Sequence, residues 1–451
     1  MVLDINAFLV ERGGDPDFIR ESQRRRHADV GLVDKVIELQ ARWRAARHAL
    51  DQLNAKLNAT SKEIGGLMKA GKKDEATELR TKGIPAIKAE MARAEEECNA
   101  VEKERDATLN LIGNIVHSSV VVSADESDNE IARKVGSFAR PQVAKLREHF
   151  ELMELIGGTD LPRGAKVSGD RGYFLTGIGA QLNIALIKYG IDFMSARGST
   201  AVQTPYFMAP DLMGKTAQLE DFDEQLYHVT TGSGGAGDKY LIATSEQPIS
   251  CMHAGEWLQT AQLPIKYVGF STCFRKESGS GGRDVRGIFR VHQFDKIEQF
   301  AITSPETSWD MHEEMTRNSE EFLQSLGLSY RVVVIASGAL NNAASKKYDI
   351  EAWFPAYNDC RELVSASNCT DYQSRSLEIR YGNKVKGETT KVYAHMLNAT
   401  LCATTRAICC ILENHQTDTG INVPIPLRKY LDMDFIPFKT TASAGPASSS
   451  S

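Results

Sequence analysis

The sequence predicts an α+β fold, in which a long antiparallel helical hairpin precedes a domain of mixed helices and strands. Two stripes of apolar residues repeat with a 3,4 spacing over residues 36–67 and 84–112, which is typical of paired long helices. Two apolar strands are predicted further on, at residues 265–275 and 287–302. Because 451 residues exceed one ordinary domain, we expect two or three folding units.

Composition places the chain among globular proteins, with 42% hydrophobic and 25% charged residues. The formal net charge of −6 argues weakly against nonspecific nucleic-acid binding, although a local basic surface could still attract an RNA. The eight cysteines form no C-x-x-C pair, which predicts buried, reduced thiols of a cytosolic protein and no zinc site. We expect neither a signal peptide nor a membrane span, because no run approaches the required ~20 apolar residues.

The helical hairpin is the first element in chain order. A glycine-containing turn at residues 68–74 separates its two arms, each of which would reach roughly 45–55 Å. Gly83 and Pro85 disfavour a helix, so the sequence does not define where the second arm begins. The arms are predicted either to form a spacer or dimerising coiled coil, or to hold an RNA backbone with basic residues that include Arg24, Arg25, Arg26, Arg42, Arg44, Arg47, Lys69, Lys72 and Lys73.

An acidic, flexible connector is predicted over residues 113–136, and a region of mixed helices and strands is predicted to begin near residue 137. The tail at residues 439–451 is rich in Ala, Gly and Ser, which predicts disorder. Between these segments we expect a short helix from His149, a strand at 172–176, an amphipathic helix at 178–197 and a strand at 201–205.

The two strands at 265–275 and 287–302 are joined by a basic, glycine-rich loop at 278–286, which we expect to be mobile. Alternate residues of the second strand share one face of the sheet, namely Arg290, His292, Phe294, Lys296 and Glu298. That face is too polar for a core, and it suits a nucleotide, because arginine grips phosphate and phenylalanine stacks on a base. The alternative is a solvated hairpin with ion-paired charges.

The chain lacks the glycine-rich loops of P-loop and Rossmann proteins, so a nucleotide site would have to use arginines and strands. Three further segments supply polar groups: Thr244-Ser-Glu246, the strand that carries Glu362 and Ser365, and a strand that enters a helix with Arg406. Glu362 and Ser365 could ligate Mg²⁺. Each segment also has a plain structural interpretation, as a helix cap, an ion pair and a surface arginine.

Taken together, these segments carry the motifs T-x-E, F-R-x-E followed by R-V-H-Q-F-x-x-x-E, E-x-x-S-x-S-N-C, and H-M-L-N-A-T with a later Arg. They resemble motifs 2 and 3 of the class II aminoacyl-tRNA synthetases, and within that class the seryl-tRNA synthetases of the eukaryotic cytosolic type. Residues 198–205 are similar to motif 1, the dimer-forming element. The resemblance covers residues 1–438. It implies a tRNA-binding arm at 1–112, a linker at 113–136 and, at 137–438, a catalytic domain whose antiparallel sheet is flanked by helices.

The resemblance also implies roles in ATP binding and catalysis. Arg275 would contact the α-phosphate and the substrate carboxylate, and Glu277 would face the adenine amino group. Phe294 would stack on the base. Arg406 would cover its other face and reach the γ-phosphate, and Arg290 would belong to the same phosphate clamp.

The remaining implied roles concern the amino acid and the metal. Glu362 and Ser365 would hold Mg²⁺ beside ATP. Serine would be bound by Arg275 and by Thr244 and Glu246 at its amino group, and by Glu298, Asn398 and Thr400 at its hydroxyl.

The resemblance therefore implies a cytoplasmic homodimer, joined near Pro205, that charges serine tRNA in two steps. The sequence leaves open whether selenocysteine tRNA is also charged. One alternative is a non-catalytic, synthetase-like RNA-binding or regulatory protein, which predicts loss of site residues. All five of the residues that it predicts to be lost are present, namely Arg275, Glu277, Glu298, Glu362 and Arg406. A second alternative, a coiled-coil interaction protein, explains the hairpin but not the polar strand face.

Overall fold

The computed structural model describes residues 2–216, 225–232, 235, 237–277, 282–382 and 392–439. The chain divides into two compact units, Met1–Ile115 and Val116–Ser451. The predicted tail at 439–451 lies outside the described residues except for Lys439, and residues 278–281 of the predicted loop lie outside them as well.

The first unit consists mainly of a helical hairpin, as the sequence predicts. Its helices are α1 Pro16–Arg25, α2 Gly31–Lys69, α3 Lys73–Glu78 and α4 Ile84–Asn110. A π-helical turn, Leu79–Gly83, joins α3 to α4 without interrupting the arm. Pro85 lies in the first turn of α4, directly after the π-helical turn.

The seam between α2 and α4 is apolar but contains one buried arginine. Arg105 is 4% exposed, donates from Nη1 to Gln40 Oε1 at 2.9 Å, and lies over the ring of Trp43. A polar pair inside an apolar seam favours one register of the two helices, because a slip would cost the hydrogen bond between Arg105 and Gln40.

The second unit is built on an eight-stranded sheet in the order β1-β11-β12-β13-β15-β10-β9-β4, antiparallel except for the β4–β9 pair. Smaller two- and three-stranded sheets surround it. The strands are β1 Glu130–Val135, β2 Thr159–Asp160, β3 Phe174–Leu175, β4 Thr200–Gln203, β5 Phe207–Met208, β6 His228–Val229, β7 Lys239–Leu241, β8 Trp257–Leu258, β9 Ile265–Phe274, β10 Gln293–Thr303, β11 Tyr330–Val334, β12 Lys346–Phe354, β13 Asp359–Asn368, β14 Arg380–Tyr381, β15 His395–Ala403, β16 Gly420–Asn422 and β17 Phe435–Pro437.

Helices cover one face of this sheet. In chain order the helices of the second unit are α5 His149–Leu155, α6 Leu161–Ser168, α7 Ile178–Ser195, α8 Pro210–Met213, α9 Glu246–Ser250, α10 Ser308–Ser325, α11 Tyr372–Leu377, α12 Thr404–His415 and α13 Ile425–Leu431. The main core lies between the sheet and α7, α10 and α12. Ile297 and Ala301 of β10 point into that core, so the alternate residues of β10 point to the opposite face.

Two expectations about the strands are corrected. The connector at 113–136 is not irregular throughout, because Glu130–Val135 forms the edge strand β1 against β11. Its charged residues, Glu130, Arg133 and Lys134, suit an edge strand, because charges discourage pairing with another chain. The second polar strand begins at Gln293 rather than at 287, and residues 287–292 form an irregular segment before it.

Candidate active site

A cavity of about 500 Å³ opens on the sheet face opposite the core helices. Every residue that the sequence predicts for the site lines this one cavity: Thr244, Glu246, Arg275, Glu277, Arg290, Phe294, Glu298, Glu362, Ser365, Asn398, Thr400 and Arg406. They come from strands and helices spread over more than 160 positions of sequence, so the fold brings together groups that are far apart along the chain.

Arg275 and Phe294 meet at one end of the cavity. Arg275 follows β9, and its backbone N–H donates to the carbonyl of His292 at 2.8 Å. The guanidinium lies 5.3 Å from the centre of the Phe294 ring, and its Nε donates to the Ala243 carbonyl at 3.3 Å. His292 itself does not line the cavity. Its Nδ1 lies 3.0 Å from the Arg275 carbonyl, so its ring contacts the backbone just beyond the end of β9.

Glu277 and Arg290 are paired through Oε2 and Nε across the two strand ends. Glu277 is 8% exposed and has a positive φ of 52°, which is uncommon for a residue with a side chain. This backbone conformation turns the carboxylate back over the sheet toward the cavity. The pair shows that Arg290 has a protein partner, and a phosphate would have to compete with Glu277 for it.

Arg406 lies in the first turn of α12, beside Glu362 on β13. Its Nη1 donates to the Glu362 carbonyl at 3.1 Å and to Glu362 Oε2 at 3.3 Å. The guanidinium also lies 4.9 Å from the centre of the Phe289 ring. These contacts hold the guanidinium at one wall of the cavity.

The middle of the cavity carries a buried ion pair that the sequence does not single out. Lys296 Nζ lies 2.6 Å from Glu298 Oε2, and their side chains are only 8% and 2% exposed. Thr400 Oγ1 donates to the same carboxylate oxygen at 3.2 Å. A β-bulge between Ile297 and Glu298 shifts the register against β15, which sets Glu298 directly opposite Thr400.

Glu246 lies next to this pair, at the start of α9. Its Oε1 accepts from Gln373 Nε2 at 2.8 Å and from Asn398 Nδ2 at 3.0 Å. Burial, and then the nearby charge of Glu298, raise the pKa of Glu246 to about 7. A buried carboxylate with two amide donors and no directly bonded cation is well suited to receive an ammonium group.

The oxygen ligands of the predicted metal site also lie together. Glu362 and Ser365 share β13, and Asp349 of β12 lies opposite Ser365, with 3.4 Å between Lys347 Nζ and Asp349 Oδ2. Desolvation would raise the pKa of Glu362, but nearby cations, Arg406 and then Lys347, lower it. An ionised carboxylate beside a hydroxyl fits a hard cation such as Mg²⁺. The described residues contain no group of three or more His, Cys, Asp or Glu side chains placed to hold a metal.

Some features of the lining were missed by sequence reasoning. The strand pattern placed Lys296 on the polar face beside Phe294 and Glu298, but it assigned Lys296 no role and no partner. Gln373, Lys347 and Phe289 had no comparable signal, because their place in the cavity depends on α11, β12 and an irregular segment that pack there from elsewhere.

The comparisons with known proteins identify the class. Residues 227–415 match the model of the tRNA synthetase class II core domain (G, H, P, S and T), and residues 2–116 match the seryl-tRNA synthetase N-terminal domain. The fold and the cavity are therefore those of a class II aminoacyl-tRNA synthetase.

Similarity over nearly the full length identifies the family within that class. The chain is 54% identical to the cytoplasmic serine–tRNA ligase of Dictyostelium discoideum, over 98% of this chain and 96% of that protein. The structure of the cytoplasmic serine–tRNA ligase from Naegleria fowleri in complex with AMP is 51% identical, with a TM-score of 0.84 over 97% and 99% of the two chains. The seryl-tRNA synthetase of Pyrococcus horikoshii complexed with ATP is 38% identical, with a TM-score of 0.86 over 97% and 100%. The chain belongs to the seryl-tRNA synthetase family.

These findings confirm the resemblance, the fold class and the ligase class that the sequence predicts. The roles of the individual site residues stay predictions, although all of them line one cavity. Among the described residues, no helix is long and apolar enough to cross a membrane.

Proposed function

We propose that the chain activates L-serine with ATP to form seryl-adenylate and then transfers the seryl group to the 3′ end of serine tRNA. One observation carries this proposal. Phe294, Lys296 and Glu298 stand in a row on β10, so a site for stacking a base and a site for holding a hydroxyl are joined by one continuous cavity.

The first step joins the carboxylate of serine to the α-phosphate of ATP. The carboxylate of serine is anionic and attacks the α-phosphate directly, so no general base is required. The chain contributes positioning and charge neutralisation. Arg275 would touch both the carboxylate and the α-phosphate, and Arg406 and Phe294 would sandwich the base.

Selection of serine would rest on the buried acceptor Glu298 and the hydroxyl of Thr400. Alanine would leave Glu298 without the donor that serine supplies, which predicts a preference for serine of about 10⁴-fold. Threonine would have to be excluded by lack of space for its methyl group, a weaker filter of about 1–3 kcal/mol.

Glu362 and Ser365 would hold Mg²⁺ beside the phosphates of ATP. When bound there, the ion would neutralise charge that develops on the phosphates and the leaving pyrophosphate. In the present arrangement Glu362 is paired with Arg406, so this carboxylate exchanges partners when ATP arrives.

The helical arm would hold the tRNA through its backbone and shape. Arg42, Arg47 and Lys72 keep more than half of their side chains exposed, which suits contact with phosphates. Arg26 does not belong to this group. It is 6% exposed, and its Nε donates to the carbonyl of Asn114.

The quaternary state would be a homodimer joined through the motif 1 region near Pro205. The edge strand β4 has one unpaired side, and Phe207 just beyond Pro205 is 54% exposed. Light scattering on the wild type and on Phe207→Asp tests this arrangement, since a charge at the interface would give monomers. The localisation would be cytoplasmic, as in the relatives named above.

The test of the function is ATP–pyrophosphate exchange with each standard amino acid in turn. Exchange with serine alone would support both the reaction and the substrate. Exchange with another amino acid would keep the class and overturn the pocket assignment. Absence of exchange with every amino acid would favour the non-catalytic RNA-binding alternative.

A further inference from the structure

Lys296 occupies the centre of the cavity between the groups that would hold the base and the hydroxyl of serine. It projects from β10 on the same face as Phe294 and Glu298, and only 8% of its side chain is exposed. A lysine is rarely buried unless it is paired, because removing its charge from water is costly. Its partner is Glu298, at 2.6 Å.

The two oxygens of Glu298 are used differently. Oε2 is ion-paired with Lys296 Nζ at 2.6 Å and accepts a hydrogen bond from Thr400 Oγ1 at 3.2 Å. In the described part of the chain, Oε1 has no protein donor. The carboxylate is therefore anchored through one oxygen, and the other is presented as an acceptor.

The charge of Lys296 also separates two neighbouring carboxylates. Glu246 and Glu298 are close enough for the charge of Glu298 to raise the pKa of Glu246, whereas Lys296 and Arg275 act in the opposite direction. The ammonium of Lys296 therefore offsets the repulsion between the two buried carboxylates.

We propose that Lys296 is a positioning residue for serine selection: its ion pair holds Oε2 of Glu298 in place, so that Oε1 is the oxygen presented to a hydroxyl of the amino acid. This inference rests on the proposed function of the same cavity. It assigns the preference for serine over alanine to the Lys296–Glu298 pair rather than to Glu298 alone.

The experiment measures ATP–pyrophosphate exchange with serine and with alanine for the wild type, Lys296→Met and Lys296→Arg. Lys296→Met should raise the KM for serine about tenfold to a hundredfold, the usual worth of a charge-assisted hydrogen bond. The ratio of kcat/KM for serine to that for alanine should fall by a similar factor, while the KM for ATP stays unchanged. Lys296→Arg should recover most of the preference, because it keeps the charge.

A matched control lies on the neighbouring strand. Lys266 of β9 pairs with Glu314 at 2.9 Å outside the cavity, so Lys266→Met removes a lysine ion pair from the same sheet. Its preference for serine should remain that of the wild type. An equal loss of preference in Lys266→Met would show that losing any lysine ion pair from this sheet has the same effect, and it would overturn the role of Lys296.

The double variant Lys296→Met with Glu298→Gln removes both charges, so it avoids the unpaired buried carboxylate that could prevent folding. If Lys296 acts through the charge of Glu298, the double variant should discriminate serine from alanine as well as Glu298→Gln alone does. If the double variant instead loses the sum of the preferences lost by the two single variants, the inference is overturned. If the wild type exchanges with serine but Lys296→Met keeps its preference, only this inference fails; if the wild type exchanges with no amino acid, the proposed function fails too.

Discussion

At the scale of single residues, the cavity combines fixed cations with one carboxylate, that of Glu246, which among the described residues is bonded by amides. Arg275 and Arg406 are held by backbone carbonyls and by aromatic rings, so their guanidinium groups are oriented before a substrate arrives. Glu246 has only amide donors as direct partners. Such a site is prepared for a ligand with an anionic and a cationic end, which describes an amino acid.

Replacing Arg275 with alanine should abolish adenylate formation and leave the fold intact. The loss of a fixed donor at the reacting phosphate is expected to lower kcat for pyrophosphate exchange by about 10²–10³-fold or more. Arg163→Ala is a suitable control, because that arginine is 81% exposed on α6 and pairs only with Asp160. Retained exchange in Arg275→Ala, at the rate of the control, would remove Arg275 from the phosphate clamp.

The pH dependence of serine use should report Glu246. Since its pKa is raised to about 7, the side chain of the free enzyme is protonated below that pH and ionised above it. The ionised form attracts the ammonium of serine, so kcat/KM for serine should rise as the pH increases through about 7. Glu246→Gln should flatten this rise and lower the plateau. A pH profile that is the same in both proteins would assign the titration to another group.

At the scale of elements, the strands and short helices determine where each side chain points. Helix α9 carries Glu246 and packs closely on β9, because Gly269 leaves room for it. A Cβ on Gly269 would lie 2.4 Å from Ile249 Cδ1 and 2.9 Å from Ser245 Oγ. The position of the amino-group site therefore depends on one residue that has no side chain.

Gly269→Ala should push α9 away from the sheet and raise the KM for serine. Overpacking of this kind costs about 1–3 kcal/mol of stability, and the measurements are thermal unfolding and pyrophosphate exchange. Gly65→Ala is the matched control, because nothing lies within 4 Å of its added Cβ on α2. The control should be neutral or slightly stabilising. An unchanged KM in Gly269→Ala would show that α9 tolerates the displacement.

Shortening the helical arm should separate the two steps of the reaction. Excision of residues 51–97, closed by a short glycine-containing turn, keeps the contact between Gln40 and Arg105 at the base of the hairpin. Pyrophosphate exchange should persist, because the cavity lies wholly in the second unit. Charging of serine tRNA should fall steeply, because the phosphate contacts of the arm are lost. Undiminished charging would exclude the arm as the tRNA reader.

At the scale of the whole molecule, a chain with a formal net charge of −6 is proposed to bind a polyanion. The two facts are compatible if the cations that meet the tRNA are concentrated on the arm, where the exposed Arg42, Arg47 and Lys72 lie. Binding would then depend strongly on ionic strength, whereas the enclosed cavity would not.

Raising the salt concentration should therefore affect the two steps differently. Between about 50 and 200 mM KCl, the KM for tRNA should rise steeply, with a slope on logarithmic axes that reflects the number of phosphates contacted. The KM for serine in pyrophosphate exchange should change little, because its partners are buried. A KM for tRNA that does not respond to salt would contradict recognition through the phosphate backbone.

The sequence by itself determined the long hairpin and the pair of strands around residues 265–303. It also indicated which residues line the cavity. Periodicity and motif spacing are local properties of the chain, so both could be read without the structure. The sequence did not determine which groups would be partners. Lys296 and Glu298 are close in sequence, but the β-bulge between Ile297 and Glu298 decides that Glu298 lies opposite Thr400. The edge strand β1, the pairing of Glu277 with Arg290 and the place of Gln373 beside Glu246 were likewise decided only by the tertiary structure. These contacts join segments that only long-range sheet pairing brings together, and their energies depend on burial, which no local pattern reveals.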